Sequence, residues 1–322
     1  MDKNLRIVYM GTPDFAVLPL KRIVEAGYNV VGVVTNPDKP AGRGRQIQES
    51  AVKVYAKTLG VPILQPEKFR DPEFLRELEA LQADLQLVVA FKMLPEVVWS
   101  MPKYGTMNLH ASMLPAYRGA APINWAIING DKESGVSTFI LRHEIDTGAV
   151  LMQQPVQITD TMTAGDLHDQ LMEVGADVLL KSVDAINSGE YSLTEQEMLN
   201  NGHSSCPAPK IFKEDMKIDW QDSLINIYNK VRGLAPFPSA WFEMESKESK
   251  EVVSAKVYAV EIKECEHSGE LGQIVTDGKT YAGVCANGGI VYIKELQIAG
   301  KKRMGIEDFL RGFNISQYIA KI

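Results

Sequence analysis

Strand-like and helix-like segments alternate along the first 91 residues, and this alternation constrains the fold more than any other feature of the chain. Residues 5–11, LRIVYMG, form an apolar run that ends at Gly, which is typical of a strand buried on both faces of a parallel sheet. The alternation continues with helix-like and strand-like segments at 14–27, 29–35, 49–60, 62–65, 71–82 and 84–91. A doubly wound, mostly parallel α/β sheet of the Rossmann-like kind is therefore predicted.

The pattern changes in the second half of the chain. Strand-like runs at 136–143 and 148–158 and a long helical pattern at 163–189 complete the first domain, predicted to span residues 1–190. Residues 191–209 are polar and rich in turn residues, which predicts a linker. Beyond them, a helix ended by prolines and short strands punctuated by Gly predict a small antiparallel, OB-like β-barrel over 210–322.

Composition argues against several classes of protein. The net charge of −7 argues against a protein that coats nucleic acid non-specifically. No apolar run approaches about 18 residues, so neither a signal peptide nor a membrane span is indicated, and a cytoplasmic protein is expected. Cys206, Cys265 and Cys285 lack metal-ligand spacing, which predicts reduced thiols and no metal. The loop GTPDFA lacks the G-x-G-x-x-G pattern of a dinucleotide site.

The strand-like run at 106–111 places two polar side chains at its end. Asn108 and His110 are two residues apart, so they point to the same face, and the turn that follows opens that face toward a site. An amide donor beside an imidazole suits a carbonyl oxygen that gains negative charge. Such a pair can equally satisfy backbone groups at a strand end. A third group, Asp146, in a Gly-containing turn, would complete an acid/base set without a nucleophile, although an Asp there can also simply stabilise the turn.

These residues carry a resemblance to a known family. The irregular stretch MNLHASMLPAYRGAAPINWAIING, residues 107–130, and the downstream IDTG closely resemble the folate-dependent formyltransferases. The segments MGTPDFA, NPDKPAGRGR and KIFKEDMKIDW are similar to the branch of that family that modifies initiator tRNA. The resemblance covers nearly the whole chain and implies a formyltransferase catalytic domain over residues 1–190.

The resemblance implies transfer of a formyl group from the co-substrate 10-formyltetrahydrofolate to the α-amino group of methionine on initiator methionyl-tRNA, in support of translation initiation. Asn108, His110 and Asp146 match the family's catalytic Asn, His and Asp. Asn108 and His110 would stabilise the oxyanion, and Asp146 would accept the proton of the amine or keep His110 charged. No metal and no covalent intermediate are needed, and a monomer is expected.

The resemblance also implies binding residues. The folate would lie along Ser112, Met113, Leu114 and Pro115 and in an apolar slot after the fourth strand, walled by Phe91, Met93 and Leu94. Apolar residues in such places are more often core. The family commonly has Ala-Tyr-Gly where this chain has Ala90-Phe91-Lys92, and an acid where it has Ala149.

Two basic segments are candidates for contact with tRNA. The loop 36–46 contains Lys39, Arg43 and Arg45, and a predicted turn of the barrel contains Lys301, Lys302 and Arg303. By itself a short basic cluster is more often a solvated surface. In the light of the resemblance, the first segment matches the family's inserted loop for the acceptor stem, with Arg43 as the main contact.

Other functions share parts of this pattern. A glycinamide ribonucleotide formyltransferase would share Asn108, His110 and Asp146, but it ends after one domain. Formyltransferases that act on nucleotide sugars share the three residues and a similar small barrel, and the loop DKPAGRGR favours tRNA over them. A formyl-folate hydrolase and a non-catalytic folate- or RNA-binding protein are further alternatives.

Overall fold

A computed structural model of the protein describes residues 3–41, 46–199 and 206–322. The chain divides into two compact units. The first contains Met1–Pro122, Ser134–Gln157 and His168–Ala208, and the second contains Ile123–Glu133, Ile158–Leu167 and Pro209–Ile322. The predicted domain boundaries near 190 and 210 stay predictions.

The elements up to residue 188 include nine strands and six helices in the described ranges. The strands are β1 (Arg6–Gly11), β2 (Asn29–Val34), β3 (Lys39–Ala41), β4 (Gln46–Gln48), β5 (Ile63–Leu64), β6 (Leu85–Val89), β7 (Thr106–His110), β8 (Glu133–Ile140) and β9 (Val150–Gln157). The helices are α1 (Val17–Glu25), α2 (Ala51–Ala56), α3 (Pro72–Ala80), α4 (Glu96–Trp99), α5 (Pro122–Ile128) and α6 (Ala164–Ser188). Short 3₁₀ helices lie at Asp14–Ala16, Lys57–Leu59 and Gln196–Met198.

Seven of these strands form the sheet of the first unit, in the order β5-β2-β1-β6-β7-β8-β9. The pairs β1–β2, β2–β5, β1–β6 and β6–β7 are parallel, and β7–β8 is antiparallel. The strand order reverses between β1 and β6, so the carboxyl ends of these strands flank the crevice in which ligands of such sheets bind. The doubly wound, mostly parallel sheet predicted from the sequence is confirmed.

Local sequence explains why the elements start where they do. All five residues of β6 are buried, as the apolar run predicts for a strand covered on both faces. Asp71 caps α3, because its side chain accepts a hydrogen bond from the Glu73 backbone N–H, and Pro72 occupies the first turn. Core packing between sheet and helices includes Val8, Met10, Phe74 and Leu78.

The second unit is built around an antiparallel sheet. Its strands are β10 (Ala240–Ser246), β11 (Val252–Glu264), β12 (Ile274–Thr276), β13 (Ala282–Ala286), β14 (Gly289–Ile298), β15 (Met304–Gly305) and β16 (Tyr318–Ala320). Its helices include α7 (Leu224–Leu234) and α8 (Ile306–Gly312), with 3₁₀ turns at Glu214–Met216 and Ile315–Gln317.

This sheet curls into a small barrel. The strands follow the order β12-β13-β14-β11-β10-β16, and β15 pairs with β14. Its two ends meet where the Ala320 N–H donates to the Gly272 carbonyl oxygen at 2.9 Å. Trp220 and Phe242 are both fully buried in the core and pack edge to face at 5.3 Å. The predicted barrel is confirmed.

Candidate active site

Strand β7 carries the first two predicted site residues. Leu109 packs toward α6, where a Cβ on Gly175 would lie 3.1 Å from the Leu109 side chain. Asn108 and His110, one residue to either side, therefore point to the opposite face of the sheet. In the register with β8, Asn108 lies opposite Phe139 and His110 opposite Ser137. The alternation predicted from the sequence brings both side chains to one face.

The imidazole of His110 is buried and has a fixed orientation. Its Nε2 lies 2.9 Å from the carbonyl oxygen of Tyr117. A carbonyl oxygen only accepts, so Nε2 carries a hydrogen and donates it. Any second proton on the ring sits on Nδ1, and Nδ1 is the atom that faces Asp146. The ring is thereby set to act through Nδ1.

Asp146 lies in the loop between β8 and β9, and its carboxylate faces the imidazole. Its Oδ2 lies 3.9 Å from Nδ1 of His110 and accepts a hydrogen bond of 3.0 Å from the Gly119 backbone N–H. Its backbone has φ +54°, the left-handed region that residues other than Gly adopt rarely and Asp more often than most. The loop thus holds the carboxylate at ion-pair distance from the ring.

Asn108 is half-buried, and its side chain differs from those of His110 and Asp146 in its hydrogen bonding. Within residues 3–41, 46–199 and 206–322, the structure shows no hydrogen bond that uses the Asn108 amide group. A structural Asn at a strand end would satisfy neighbouring backbone groups. The amide N–H groups of Asn108 therefore remain available to a bound molecule.

Two glycines allow the loops around the site to approach closely. Gly119 has φ +128°, and a Cβ there would collide with the carbonyl oxygen of Ala208. A Cβ on Gly148 would collide with the carbonyl oxygen of Ile140. These contacts explain why glycine follows Arg118 and Thr147 in the two motifs noted in the sequence.

The predicted folate-binding segment at 112–115 is largely buried, and its polar groups form hydrogen bonds within the protein. Ser112 and Leu114 are fully buried, and the Ser112 hydroxyl donates to the Ala116 carbonyl oxygen at 2.6 Å. The Ser137 hydroxyl accepts from the Leu114 N–H and donates to the Ser112 carbonyl oxygen. Met113 and Pro115 are half-buried. The side chains with surface to offer a ligand are thus those of Met113 and Pro115.

The second predicted folate segment follows β6 at the reversal of strand order. Ala90 is exposed and has φ +47°, so the backbone turns sharply there. Leu94 is buried in the core, Phe91 is half-buried and packs on Phe69 at 5.7 Å, and Met93 is 74% exposed. Of the three predicted wall residues, Met93 offers the most surface.

The predicted tRNA contacts lie in both units. Lys39 is exposed in β3, whereas Arg43 and Arg45 lie outside the described residues. In the second unit, Lys301 and Lys302 are exposed in the turn before β15.

Arg303, beside them, already has partners. Its guanidinium makes two hydrogen bonds to Glu295 and lies 4.2 Å from the centre of the Tyr258 ring. Hydrogen bonding to Glu295 raises the pKa of Arg303 above its usual value. Contact with a phosphate would therefore compete with an existing ion pair.

Two residues near the site were missed by sequence reasoning. Gln196, in the stretch predicted to be a linker, donates to the carbonyl oxygens of Asp146 and Gly148, both at 2.8 Å. The Arg118 guanidinium donates to the side-chain oxygen Oε1 of Gln196. No sequence signal distinguished Gln196 from its polar neighbours, because its partners lie about fifty positions earlier in the chain.

Comparison with known proteins identifies the class. Residues 5–183 match the family model described as formyl transferase, and residues 210–314 match the formyl transferase C-terminal domain. Among the helices that the structure describes, none is long and apolar enough to cross a membrane. The fold, the site and these matches together define the chain as a formyl transferase.

Whole-length relatives narrow the assignment. A methionyl-tRNA formyltransferase from Parabacteroides distasonis is 54% identical over 319 residues, which is 98% of each chain. One from Bacteroides thetaiotaomicron is 53% identical over 314 residues, covering 98% of this chain and 97% of the relative. The chain belongs to the methionyl-tRNA formyltransferase family.

Solved structures share the fold at low identity. The N-formyltransferase from Helicobacter canadensis, in complex with folinic acid and dTDP-3-aminofucose, has a TM-score of 0.62 and 20% identity, covering 93% of this chain and all of that one. HypX from Aquifex aeolicus in complex with tetrahydrofolic acid has a TM-score of 0.62 and 17% identity, covering 96% of this chain and 48% of that one.

Proposed function

We propose that the protein transfers the formyl group of 10-formyltetrahydrofolate to the α-amino group of methionine on initiator methionyl-tRNA, with Asn108, His110 and Asp146 as its catalytic residues. The observation that carries the proposal is the arrangement at the end of β7. Nδ1 of His110 lies 3.9 Å from Oδ2 of Asp146, and the Asn108 amide, which has no hydrogen-bond partner among the described residues, shares the same strand face. The names of the whole-length relatives supply the acceptor. The reaction would take place in the cytoplasm on a monomeric enzyme and serve translation initiation.

The residues at the site fit a folate donor. After the sharp turn at Ala90, the backbone beyond β6 pairs with no strand of the described part of the chain, and the nearby Met93 offers apolar surface. A flat heteroaromatic ring needs this combination of polar backbone and apolar side chain. Met113 and Pro115, which follow the adjacent strand β7, are half-buried and offer further side-chain surface. When bound, 10-formyltetrahydrofolate supplies the formyl carbon.

Asn108 and His110 stabilise the charge that develops as the amine attacks. The formyl oxygen becomes negative when the nitrogen–carbon bond forms. The Asn108 amide donates to that oxygen, and a protonated Nδ1 of His110 supplies a second donor, while Nε2 stays bonded to Tyr117. One such donor typically contributes about 3–4 kcal/mol to transition-state stabilisation.

Asp146 accepts the proton that the attacking amine must lose. An α-amino group titrates near 8, and esterification of the methionine carboxyl to tRNA lowers that value further, so much of the amine is free base at neutral pH and attacks directly. After attack the nitrogen carries an excess proton, which the Asp146 carboxylate accepts, directly or through a water. The Gly119 N–H keeps Oδ2 in place for this step. Collapse of the tetrahedral adduct then breaks the bond between the formyl carbon and N10 of the folate, and tetrahydrofolate leaves once N10 has taken up a proton. The enzyme therefore acts mainly through positioning and charge stabilisation.

The test is a comparison of acceptors. The purified chain is incubated with 10-formyltetrahydrofolate and, in parallel, with methionyl-charged initiator tRNA, a UDP-aminosugar, glycinamide ribonucleotide or no acceptor. Formylated products are measured by mass spectrometry, and release of tetrahydrofolate is measured by absorbance. We expect formylmethionyl-tRNA as the dominant product. Faster formylation of either small acceptor, or release of tetrahydrofolate without any acceptor at the same rate, would contradict the proposal.

A further inference from the structure

We propose that Gln196 is a positioning residue for this reaction, which acts by fixing the backbone of Asp146. The inference rests on the proposed function, since it concerns the same site. Gln196 lies in a short 3₁₀ helix after α6, in the stretch that the sequence predicts to be a linker. It touches neither His110 nor the Asp146 carboxylate in the contacts of the described residues, so its effect is exerted through the loop backbone.

The side chain of Gln196 uses its full hydrogen-bonding capacity. Its Nε2 donates to the carbonyl oxygens of Asp146 and Gly148, both at 2.8 Å. Its Oε1 accepts from Nε and Nη2 of Arg118, at 2.9 and 2.6 Å. The residue is 1% exposed. A primary amide has two N–H donors and two acceptor lone pairs, so all four are engaged with protein and none is left for water.

These hydrogen bonds connect the two loops that surround the site. Arg118 lies between Tyr117, whose carbonyl oxygen accepts from His110, and Gly119, whose N–H donates to Asp146. The amide end of Gln196 binds the loop of Asp146. Gln196 therefore ties the backbone that orients the imidazole to the backbone that carries the carboxylate.

Asp146 needs such support because of its conformation. Its φ of +54° is unfavourable for a residue with a side chain, and such a conformation persists only where its surroundings hold it. Gln196 holds the carbonyl groups at 146 and 148, on both sides of Thr147. Without these bonds the loop is free to relax, and the carboxylate would move away from Nδ1 of His110. A displacement of about 1 Å at a reacting group can cost on the order of 10²-fold in rate.

The same segment has other anchors to the same loop, which makes the role of Gln196 separable. The neighbouring Glu195 forms two hydrogen bonds with the Arg142 guanidinium, at 2.8 and 2.7 Å, on the surface. Thr194 and Val150 exchange backbone hydrogen bonds of 2.8 and 2.9 Å. When Gln196 is changed, these contacts still hold the segment, while the hydrogen bonds of Gln196 to the Asp146 loop and to Arg118 are lost. Glu195→Gln is thus the matched control.

The experiment is a double-mutant cycle on formyl transfer to methionyl-tRNA. The variants are Gln196→Met, which keeps the length and removes the polar atoms, Asp146→Asn, and the combination of both. The kcat, the KM for the folate and the thermal unfolding temperature are measured for each. Gln196→Glu serves as a second variant at the position, since it keeps the contact with Arg118 but places an acceptor against two carbonyl oxygens.

We expect Gln196→Met to lower kcat by roughly 10- to 100-fold, with the KM for the folate within about threefold of wild type. In the Asp146→Asn background the same change should lower kcat by less than about threefold. The carboxylate that Gln196 positions is already absent from that variant, so its misplacement has little further effect on kcat. Glu195→Gln should leave kcat unchanged. Multiplicative effects in the double variant, a wild-type kcat for Gln196→Met, or loss of the folded state in both Gln196 variants would overturn the inference.

The cycle also separates this inference from the proposed function. Absence of formylmethionyl-tRNA with the wild-type chain would overturn the proposed function. An active wild type with independent effects of Gln196 and Asp146 would overturn only the role of Gln196.

Discussion

Replacing Gly119 by Ala tests the geometry of the site at its tightest point. Gly119 has φ +128°, donates its N–H to Oδ2 of Asp146, and lies against the backbone of Ala208. A methyl group there would collide with the Ala208 carbonyl oxygen, so one of the two backbones must move. Movement of the Gly119 backbone withdraws the N–H from the carboxylate.

The hydrogen bonds at risk give the size of the effect. Ala208 accepts from the N–H groups of Ala120 and Ala121, at 2.7 and 3.2 Å, and donates to Arg118 at 2.8 Å. Each such bond contributes about 0.5–1.5 kcal/mol to stability. Backbone strain at a position that favours glycine adds about 1–3 kcal/mol. Because relaxation recovers part of this, we expect a loss of about 2–4 kcal/mol in the free energy of unfolding.

Gly189→Ala is the matched control. Gly189 lies in the same compact unit and also has positive φ, +74°, but a Cβ there would meet nothing within 4 Å. Its replacement adds strain without a collision, and reduced entropy of the unfolded chain offsets part of that strain by about 0.4–1 kcal/mol. We expect a small loss of stability and wild-type activity for this variant.

The assay combines thermal unfolding with the kcat of formyl transfer. For a domain of this size, about 2–4 kcal/mol corresponds to a fall in Tm on the order of 5–15 °C. The loss of a charge-assisted hydrogen bond to Asp146 should lower kcat by about tenfold or more at a temperature where the variant is folded. If Gly119→Ala matches Gly189→Ala in both Tm and kcat, the close approach and its link to Asp146 are wrong.

Two further substitutions probe the oxyanion and the nucleic acid. Asn108→Ala should lower kcat by about 10²- to 10³-fold, since it removes one donor to the oxyanion, while the fluorescence titration of a folate analogue stays unchanged; a kcat within threefold of wild type would rule out this role. Changing Lys301 and Lys302 together to Ala should raise the KM for tRNA and reduce the slope of log KM against log salt by about one for each phosphate that the variant no longer binds. Lys294→Ala, in which the lysine already pairs with Glu261 at 3.0 Å, is the control, and an equal effect there would contradict a specific contact.

Much of the first unit could be predicted because its signals are local. The apolar run of β6 reflects burial on both faces, and Asp71 caps α3 through a bond to a residue two positions away. The placement of Asn108 and His110 on one face follows from the period of two of a strand. Each of these features depends on neighbours in the sequence.

The parts that escaped prediction depend on distant contacts. The hydrogen bonds of Gln196 to the Asp146 loop join it to residues about fifty positions earlier in the chain. Nothing in the surrounding sequence EYSLTEQEM indicates that its glutamine is buried. The left-handed backbone conformation of Asp146 could not be predicted from the sequence either, because Asp is also common in turns whose φ is negative. The residue types of the candidate catalytic site were visible in the sequence, while the contacts that hold them in place were not.

The position of Gln196 along the chain has a consequence for synthesis. All seven strands of the first sheet end by Gln157 and α6 ends at Ser188, yet the groups that hold the loops of Asp146 and Gly119 come later, at 194–196 and at Ala208. A nascent chain that has just emerged past α6 can form its sheet while the loops of Asp146 and Gly119 still lack these partners. Assembly of the proposed active site is therefore delayed until the ribosome has moved into the second unit.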